Sequence, residues 1–133
     1  MTPLSDDSPL WDPGHASAGD PARFDGHDVT VDDATSVTEI LEAVAPGAPA
    51  LVLIDHLAAH PGHRISADAI TTAFPHTFTN RHSLAGSTSR INALCADRGF
   101  RPLFYWWKGS KAEPSTYAMK PSVAAVVRSA RRA

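Results

Sequence analysis

The spacing of apolar residues predicts two helices in the first half of the chain. The first begins at Ser36, which stands three residues before Glu39 as in a capping box, and ends before the break at Pro46–Gly47. Its apolar stripe consists of Val37, Ile40, Leu41 and Val44. The second begins at Pro49, since proline is tolerated at a first helical position, and ends before Pro61. Because it is apolar on nearly all sides, we expect it to be the central core helix.

Two more helices are expected after a short extended link at His63–Ile65. Ser66 caps the third, which ends at Phe74. The fourth is predicted from Asn80 to Gly99, with the asparagine as N-cap and the glycine beyond the last turn. Its inward face consists of Leu84, Thr88, Ile91 and Cys95, with Leu94 at the edge. The opposite face carries small and basic side chains, which suits close approach to a DNA groove or to another helix.

The period then changes from helical to alternating between Arg101 and Lys108, which predicts a strand rich in aromatic residues. Thr116–Met119 is predicted to return as a second strand after a loop at Gly109–Ser115. One of two adjacent tryptophans in the first strand must face away from the main core, and we expect the last helix to cover it. That helix is capped by Ser122, has an apolar face and ends in a basic cluster of Arg128, Arg131 and Arg132. The whole pattern is that of an α+β chain.

The first 33 residues form an acidic segment that is too poor in apolar side chains to build a core of its own. We expect it to be a disordered tail in which Trp11 and Phe24 are exposed. Up to Ala45 the chain has a net charge of −9, whereas from Pro46 onward the net charge is +7. Such a division is typical of a chain whose basic part meets a polyanion. We therefore divide the sequence into the tail, 1–33, and one folded domain, 34–133.

Several functional classes are disfavoured by the sequence. No apolar run is long enough to span a membrane, and the acidic amino terminus does not have the form of a secretory signal. A single cysteine, Cys95, excludes an internal disulfide and favours a reducing cytoplasm. The folded part carries no glycine-rich phosphate loop, nucleophile elbow or paired carboxylates. We therefore expect neither an enzyme nor a protein with a cofactor.

The order of elements resembles a winged helix-turn-helix domain: a three-helix core and a β-hairpin wing, here with extra helices at both ends. The stretches DHLAAHPGHRIS, RHSLAGSTSRIN, PLFYWWKG and STYAMKP also resemble a group of small, uncharacterised actinobacterial proteins predicted to be winged-helix. The resemblance covers about 49–132. It implies that the third helix of the core enters the major groove and that the wing lies along the backbone or in a minor groove.

Carried onto this chain, the resemblance implies a set of residues that bind double-stranded DNA. On the helix and its approach these are Asn80, Arg81, His82, Ser83, Ser87, Ser89 and Arg90, and on the wing Lys108, Ser110 and Lys111. The helix offers few side chains of the types that read base edges, so phosphate contacts are expected to dominate. The alternative for each residue is an ordinary solvated surface. Tyr105, Trp106 and Trp107 could stack on single-stranded bases, but we expect them to be covered.

Three histidines are candidates for a zinc site, because His56 and His60 are four residues apart on one predicted helix and His63 follows. The helical metalloprotease pattern is absent, since no glutamate follows His56. No cysteine is near them in sequence. We therefore expect no metal site here, and we expect Cys95 to be a buried small hydrophobe.

The sequence thus predicts a cytoplasmic, nucleoid-associated DNA-binding regulator of transcription. A homodimer would use the helix beginning at Ser36 or the one capped by Ser122. The alternative is a winged-helix module that binds another protein and no DNA. A further hypothesis has the acidic tail fold back over the basic surface and compete with DNA.

Overall fold

Helices and short strands alternate in residues 3–17, 25–79 and 87–132, the parts of the chain that the computed structural model describes. The helices among them are α1 (Ala34–Glu42), α2 (Pro49–Ala59), α3 (Ala67–Ala73), α4 (Ser89–Asp97) and α5 (Pro121–Arg132). The strands are β1 (Ile65–Ser66), β2 (Tyr105–Trp107) and β3 (Thr116–Ala118). Single 3-10 turns lie at Pro9–Trp11 and Val31–Asp33. The predicted α+β class is confirmed.

The start of α1 differs from the prediction. The helix begins at Ala34 rather than at Ser36. Its approach is organised by Asp33, whose carboxylate accepts hydrogen bonds from the Thr30 N–H at 2.8 Å and the Thr30 hydroxyl at 3.2 Å. This capping box belongs to the 3-10 turn at Val31–Asp33, which leads into α1, and it precedes the box that we inferred by six residues. The apolar stripe is as predicted, with three of its residues buried: Val37, Ile40 and Leu41.

The core lies where α1 and α2 pack against α5. The central helix α2 begins at Pro49 and buries most of its length, as predicted. The apolar face of α5 is also buried, and consists of Val123, Val126, Val127 and Ala130. The two helices that we expected to form a dimer thus use their apolar faces inside the chain. Those faces are not available to a second copy.

The amino end of α5 is capped by a residue distant in sequence. We expected Ser122 to be the N-cap, but the helix already begins at Pro121. The Ser122 N–H instead donates to the Asp6 carboxylate at 3.1 Å. A carboxylate at this end of a helix satisfies an otherwise unpaired donor and complements the helix dipole.

The sheet has three antiparallel strands in the order β1-β3-β2, one more than the predicted hairpin. β1 pairs with β3 through Ile65 opposite Tyr117, and β2 pairs with β3 through Tyr105 opposite Ala118. The extra strand spans only two residues, which is too short to show alternation in the sequence. Its second residue, Ser66, also caps α3 as predicted, since its hydroxyl accepts from the Ala69 N–H at 3.0 Å.

The sheet is covered on both faces. Phe104, Trp106 and Tyr117 point to the helical core, so the predicted alternation is confirmed from Phe104 to Trp107. Leu103, which we expected on the face of Tyr105 and Trp107, also packs in the helical core. On the outer face, Tyr105 and Trp107 belong to a second cluster of buried residues, which we call the Trp11 cluster: Trp11, Ala16, Tyr105, Trp107 and Ala118. Because Trp11 belongs to the acidic segment, that segment covers Trp107. The last helix, which we expected in this role, packs on the other face.

The described part of the acidic segment therefore departs from the predicted disordered tail. Trp11 is 2% exposed, and its ring lies 5.3 Å from that of Trp107 and 6.0 Å from that of Tyr105. Its indole N–H donates to the Ser5 carbonyl at 2.8 Å, and the Trp107 indole N–H donates to the Leu10 carbonyl at 3.0 Å. Large aromatic side chains on the outer face of the sheet supply the apolar surface that a sequence of low hydrophobicity could not supply itself. Phe24 lies outside the described residues.

A backbone contact fastens the beginning of this segment. The Leu4 N–H donates to the Gly62 carbonyl at 2.9 Å, and the Gly62 N–H donates to the Met119 carbonyl at 2.8 Å. Gly62 has a φ of +76°, and a Cβ there would collide with the Leu4 backbone. Glycine is therefore required both for the turn after α2 and for the close approach of the segment.

Candidate nucleic-acid interface

The helix expected to meet DNA is shorter in its described part than the predicted span of Asn80 to Gly99. Residues 87–88 form a turn and α4 begins at Ser89, so the prediction of one continuous helix is wrong at this point. The C-terminal end is confirmed, because Gly99 has a φ of +78° and its N–H donates to the Ala96 carbonyl at 3.0 Å. The Phe100 N–H donates to the Cys95 carbonyl at 3.0 Å, which completes a Schellman motif.

Four of the predicted DNA-binding residues lie outside the described residues: Asn80, Arg81, His82 and Ser83. Leu84 of the expected inward face lies there too. The other predicted residues are described, and they fall on the first turn of α4, on the turn before it and on the β2–β3 loop: Ser87, Ser89, Arg90, Lys108, Ser110 and Lys111.

α4 separates an inner and an outer face as predicted. Thr88, Ile91 and Cys95 are buried, and Cys95 is the small buried hydrophobe that we expected. Ser89 and Arg90 are exposed on the first turn. No acidic residue lies in that turn, so the positive end of the helix dipole adds to the Arg90 charge. This end of α4 attracts anions.

The β2–β3 loop is shaped by its own hydrogen bonds. The Ser110 hydroxyl accepts from the backbone N–H groups of Ala112 and Glu113, both at 3.2 Å, and the Ser110 N–H donates to the Glu113 carbonyl at 2.8 Å. Ser110 thus has a structural role in addition to the DNA contact that we predicted. Lys108 and Lys111 are exposed on this loop, as is the acidic Glu113.

Most other cations of the described residues are held by partners within the chain. Arg98 pairs with Glu39 at 2.9 Å, and Lys120 with Asp28 at 2.7 Å. Arg131 donates two hydrogen bonds to Asp55, at 2.9 and 3.0 Å. The remaining held side chains donate to neutral oxygens: Arg64 to Thr116, Arg101 to Gly26 and Arg128 to Ala58. At the predicted basic end of α5, Arg131 is therefore neutralised by a carboxylate, whereas Arg128 donates to a neutral carbonyl.

Four cations form neither an ion pair nor a side-chain hydrogen bond with any residue in the described ranges. These are Arg90, Lys108, Lys111 and Arg132. The first three are the described cations of the predicted DNA-binding set, and the fourth is at the end of α5. The distribution of partners thus separates these side chains from the other basic residues, which no pattern in the sequence could do.

The aromatic side chains are not placed to stack on bases. Tyr105 and Trp107 are buried in the Trp11 cluster, and Trp106 is half-buried against the core. Burial and the neighbouring Asp28 carboxylate raise the pKa of Tyr105, and burial raises the pKa of Tyr117. Both phenols therefore stay neutral at physiological pH.

The three histidines line an open cleft beside β1 together with Arg64. The rings of His56 and His60 are 4.9 Å apart, and Phe74 meets the His56 ring edge-on. Partial burial, and then the neighbouring His60, lower the pKa of His56. In the described part of the chain, no three histidine, cysteine or acidic side chains are arranged to hold a metal ion. Arg64 is the basic residue here that our reading of the sequence missed, because its place depends on Trp107 and Thr116, which are distant in sequence.

A comparison with known families identifies one to which this chain is similar. A family model with the description "Family of unknown function (DUF6416)" matches residues 36–133, which is most of the chain. The chain belongs to this family. The part that matches DUF6416 begins inside α1 and includes the sheet, α4 and α5, whereas Trp11 lies before it. No curated protein and no solved structure matches the chain. None of the helices in the described ranges is both long enough and apolar enough to cross a membrane.

Proposed function

We propose that this chain is a winged-helix protein that binds double-stranded DNA and regulates transcription in the cytoplasm at the nucleoid. In this proposal α3 and α4 are the helix-turn-helix pair, α2 is the first helix of the core, and the β2–β3 loop is the wing. The arrangement of elements supports it: helix, strand and two helices are followed by two strands joined by a loop, with the sheet order β1-β3-β2.

The observation that carries the proposal is the set of unpaired cations. Arg90 is on the first turn of the proposed recognition helix, and Lys108 and Lys111 are on the proposed wing. Among the described residues these three have no carboxylate partner, whereas Arg98, Lys120 and Arg131 have one. An exposed cation without a partner is free to exchange its counterion for a DNA phosphate, which is the main source of affinity in such complexes.

The proposed binding depends more on phosphates than on bases. Around Arg90 the exposed face of α4 carries small side chains, Ser89 and Ala93, which allow close approach but offer little to a base edge. The dipole of α4 favours a phosphate at the same place. We therefore expect DNA binding with a steep salt dependence and modest sequence preference.

The test compares single substitutions at cations with and without the proposed role. Arg90→Ala, Lys108→Ala and Lys111→Ala are compared with Arg132→Ala, a matched control that removes an equally unpaired charge from α5. Binding to a labelled random duplex is followed by fluorescence anisotropy at several salt concentrations. Each of the first three is expected to weaken binding several-fold and to lower the slope of log K against log salt by about 0.9 for the lost phosphate contact. Arg132→Ala should leave both values near those of the wild type.

Two outcomes would contradict the proposal. If the wild-type protein fails to bind the duplex even at low salt, the protein-interaction alternative takes its place, since winged-helix folds also serve as protein-binding modules. If all four substitutions weaken binding equally, the affinity reflects overall charge and the surface that we assign has no special role.

A further inference from the structure

A second surface has the composition of a ligand site, and none of its described lining residues belongs to α4 or to the β2–β3 loop. It is an open cleft of about 750 Å³ beside β1, between the C-terminal part of α2 and α3. His56 and His60 line it from α2, and His63 and Arg64 from the link that follows. Its volume is within the range of small-molecule sites in proteins.

Arg64 is held in position at this cleft. Its Nε donates to the Thr116 hydroxyl at 3.3 Å, and its guanidinium carbon lies 4.6 Å from the centre of a Trp107 ring. Trp107 is itself fixed in the Trp11 cluster. An arginine stacked on a fixed aromatic ring loses little freedom when it binds an anion, and it remains charged at every physiological pH. The guanidinium is therefore a preorganised anion-binding group.

No acidic side chain is among the described residues that line the cleft. Arg64 forms no ion pair within the described ranges, and the imidazoles of His56 and His60 are 4.9 Å apart with no carboxylate between them. The charge of His60 disfavours a charge on His56, and none of the described residues that line the cleft is a carboxylate that could offset it. A bound anion would relieve this repulsion and accept hydrogen bonds from the same groups.

We propose that this cleft binds a small organic anion. Its oxyanion, a phosphate ester or a carboxylate, faces Arg64 and the imidazoles. Its apolar body lies on the apolar side chains of the wall, which include Ile65, Ala69 and Ala73. A metal ion suits the cleft less well, because the permanent charge of Arg64 repels it and no carboxylate or thiolate is present among the lining residues.

The test uses phenyl phosphate and benzoate as probes and phenol as the neutral control, with the full chain in the presence of EDTA. Binding is followed by NMR on the ring signals of His56 and His60. We expect at least one anion to shift both signals, and phenol to bind at least about tenfold more weakly, because it cannot form the charge-assisted contacts. The stronger of the two anions identifies the oxyanion that the cleft prefers.

Substitutions then assign the site. Arg64→Met should weaken binding of the preferred anion at least about tenfold, while Arg132→Met, on α5, should not change it. Since Arg64 also contacts Trp107, a circular dichroism melt establishes whether the variant is folded. His60→Gln, at an exposed ring, provides a second reading and should weaken binding about two- to fivefold.

Three results would overturn the inference. These are the absence of binding by both anions, equal binding of phenol, and unchanged affinity of folded Arg64→Met. The DNA assay gives a fourth, because the cleft is proposed for a small ligand and Arg64→Met should bind duplex DNA as the wild type does. A loss as large as that of Arg90→Ala would assign Arg64 to the DNA backbone instead.

Discussion

Polar and charged groups are paired at the outer face of the sheet, whereas, within the described ranges, several are exposed and unpaired on α4 and on the β2–β3 loop. At the outer face the Trp11 and Trp107 indoles donate to backbone carbonyls, and Lys120 pairs with Asp28. On α4 and the loop, Arg90 and the two lysines are exposed without a carboxylate partner among the described residues. The first arrangement stabilises the fold, and the second leaves charge available for a partner.

The contacts at the outer face of the sheet change how the acidic first part and the basic second part of the sequence are interpreted. The acidic residues of the first 33 are not all on a free tail, since Asp28 holds Lys120 and Asp6 caps α5. These contacts use acidic groups of the segment to hold the body together. Residues 3–17 do fold back, but they fold onto the aromatic outer face of the sheet. Deleting the whole segment to test competition with DNA would therefore also uncover Tyr105 and Trp107.

The largest effect is expected from Trp11→Ala. The ring is almost completely buried between Tyr105 and Trp107, and its removal leaves a cavity and takes one of two hydrogen bonds from the Ser5 carbonyl. We expect the free energy of unfolding to fall by about 3–5 kcal/mol. Urea unfolding followed by far-UV circular dichroism measures it. Val31→Ala, at a side chain that is 77% exposed, is the control and should stay within about 0.5 kcal/mol of the wild type. A loss below about 1 kcal/mol for Trp11→Ala would instead support the prediction that this segment is a disordered tail.

A smaller loss is expected from Lys120→Met, which removes the partner of Asp28. The Lys120 side chain is only 11% exposed, and the same carboxylate accepts from the Tyr105 hydroxyl at 3.2 Å. Leaving Asp28 with one of two partners should cost about 1–3 kcal/mol. Arg131→Met breaks the exposed pair with Asp55 and should cost about 0.2–1 kcal/mol in the same assay. Equal losses would show that burial does not strengthen the first pair.

The helices and their inward faces were predictable because their signals are local. Pro49 begins α2, Ser66 caps α3 and Gly99 ends α4, each within one turn of the apolar pattern that it bounds. The failures have non-local causes. β1 is too short to show a period, and the burial of Trp11 depends on side chains more than ninety residues away.

The candidate interface was predictable only in part. The pattern of α4 and the hairpin pointed to Arg90 and the two lysines, but it could not tell them from the other cations. Arg131 was part of an equally basic stretch of sequence, and its pairing with Asp55 depends on how α2 meets α5. Charge counted along a chain overestimates the charge that a folded surface offers.

Two arginines on or next to α4 allow a paired and an unpaired cation to be compared at the two ends of one helix. Arg98 pairs with Glu39 on α1, whereas Arg90 has no carboxylate partner in the described ranges. Arg98→Ala should lower the free energy of unfolding by about 0.2–1 kcal/mol and leave DNA affinity unchanged. Arg90→Ala should weaken DNA binding and change stability by less than about 0.5 kcal/mol. Thermal unfolding and anisotropy on both variants measure the two effects, and a DNA defect in Arg98→Ala would remove the distinction between paired and unpaired cations.

The smallest effect concerns the pH dependence of stability at the cleft. The pKa of His56 is lowered in the folded chain from its ordinary value of 6.5, through partial burial and then through His60. The unfolded chain therefore binds a proton here more readily than the folded chain does. It follows that the contribution of His56 to stability is greatest above pH 6.5 and falls as the pH drops through that value.

His56→Gln removes this contribution while keeping a polar side chain of similar length. Between about pH 8 and about pH 5, the wild type should lose slightly more of its free energy of unfolding than the variant does, as measured by urea unfolding at each pH. Adding the preferred anion should reduce the loss in the wild type, because a negative charge beside His56 and Arg64 raises the pKa of the imidazole again. If the wild type and His56→Gln have the same pH dependence, partial burial and the neighbouring His60 do not disfavour the charged form of His56. The cleft would then lack the repulsion between basic groups that a bound anion is proposed to relieve.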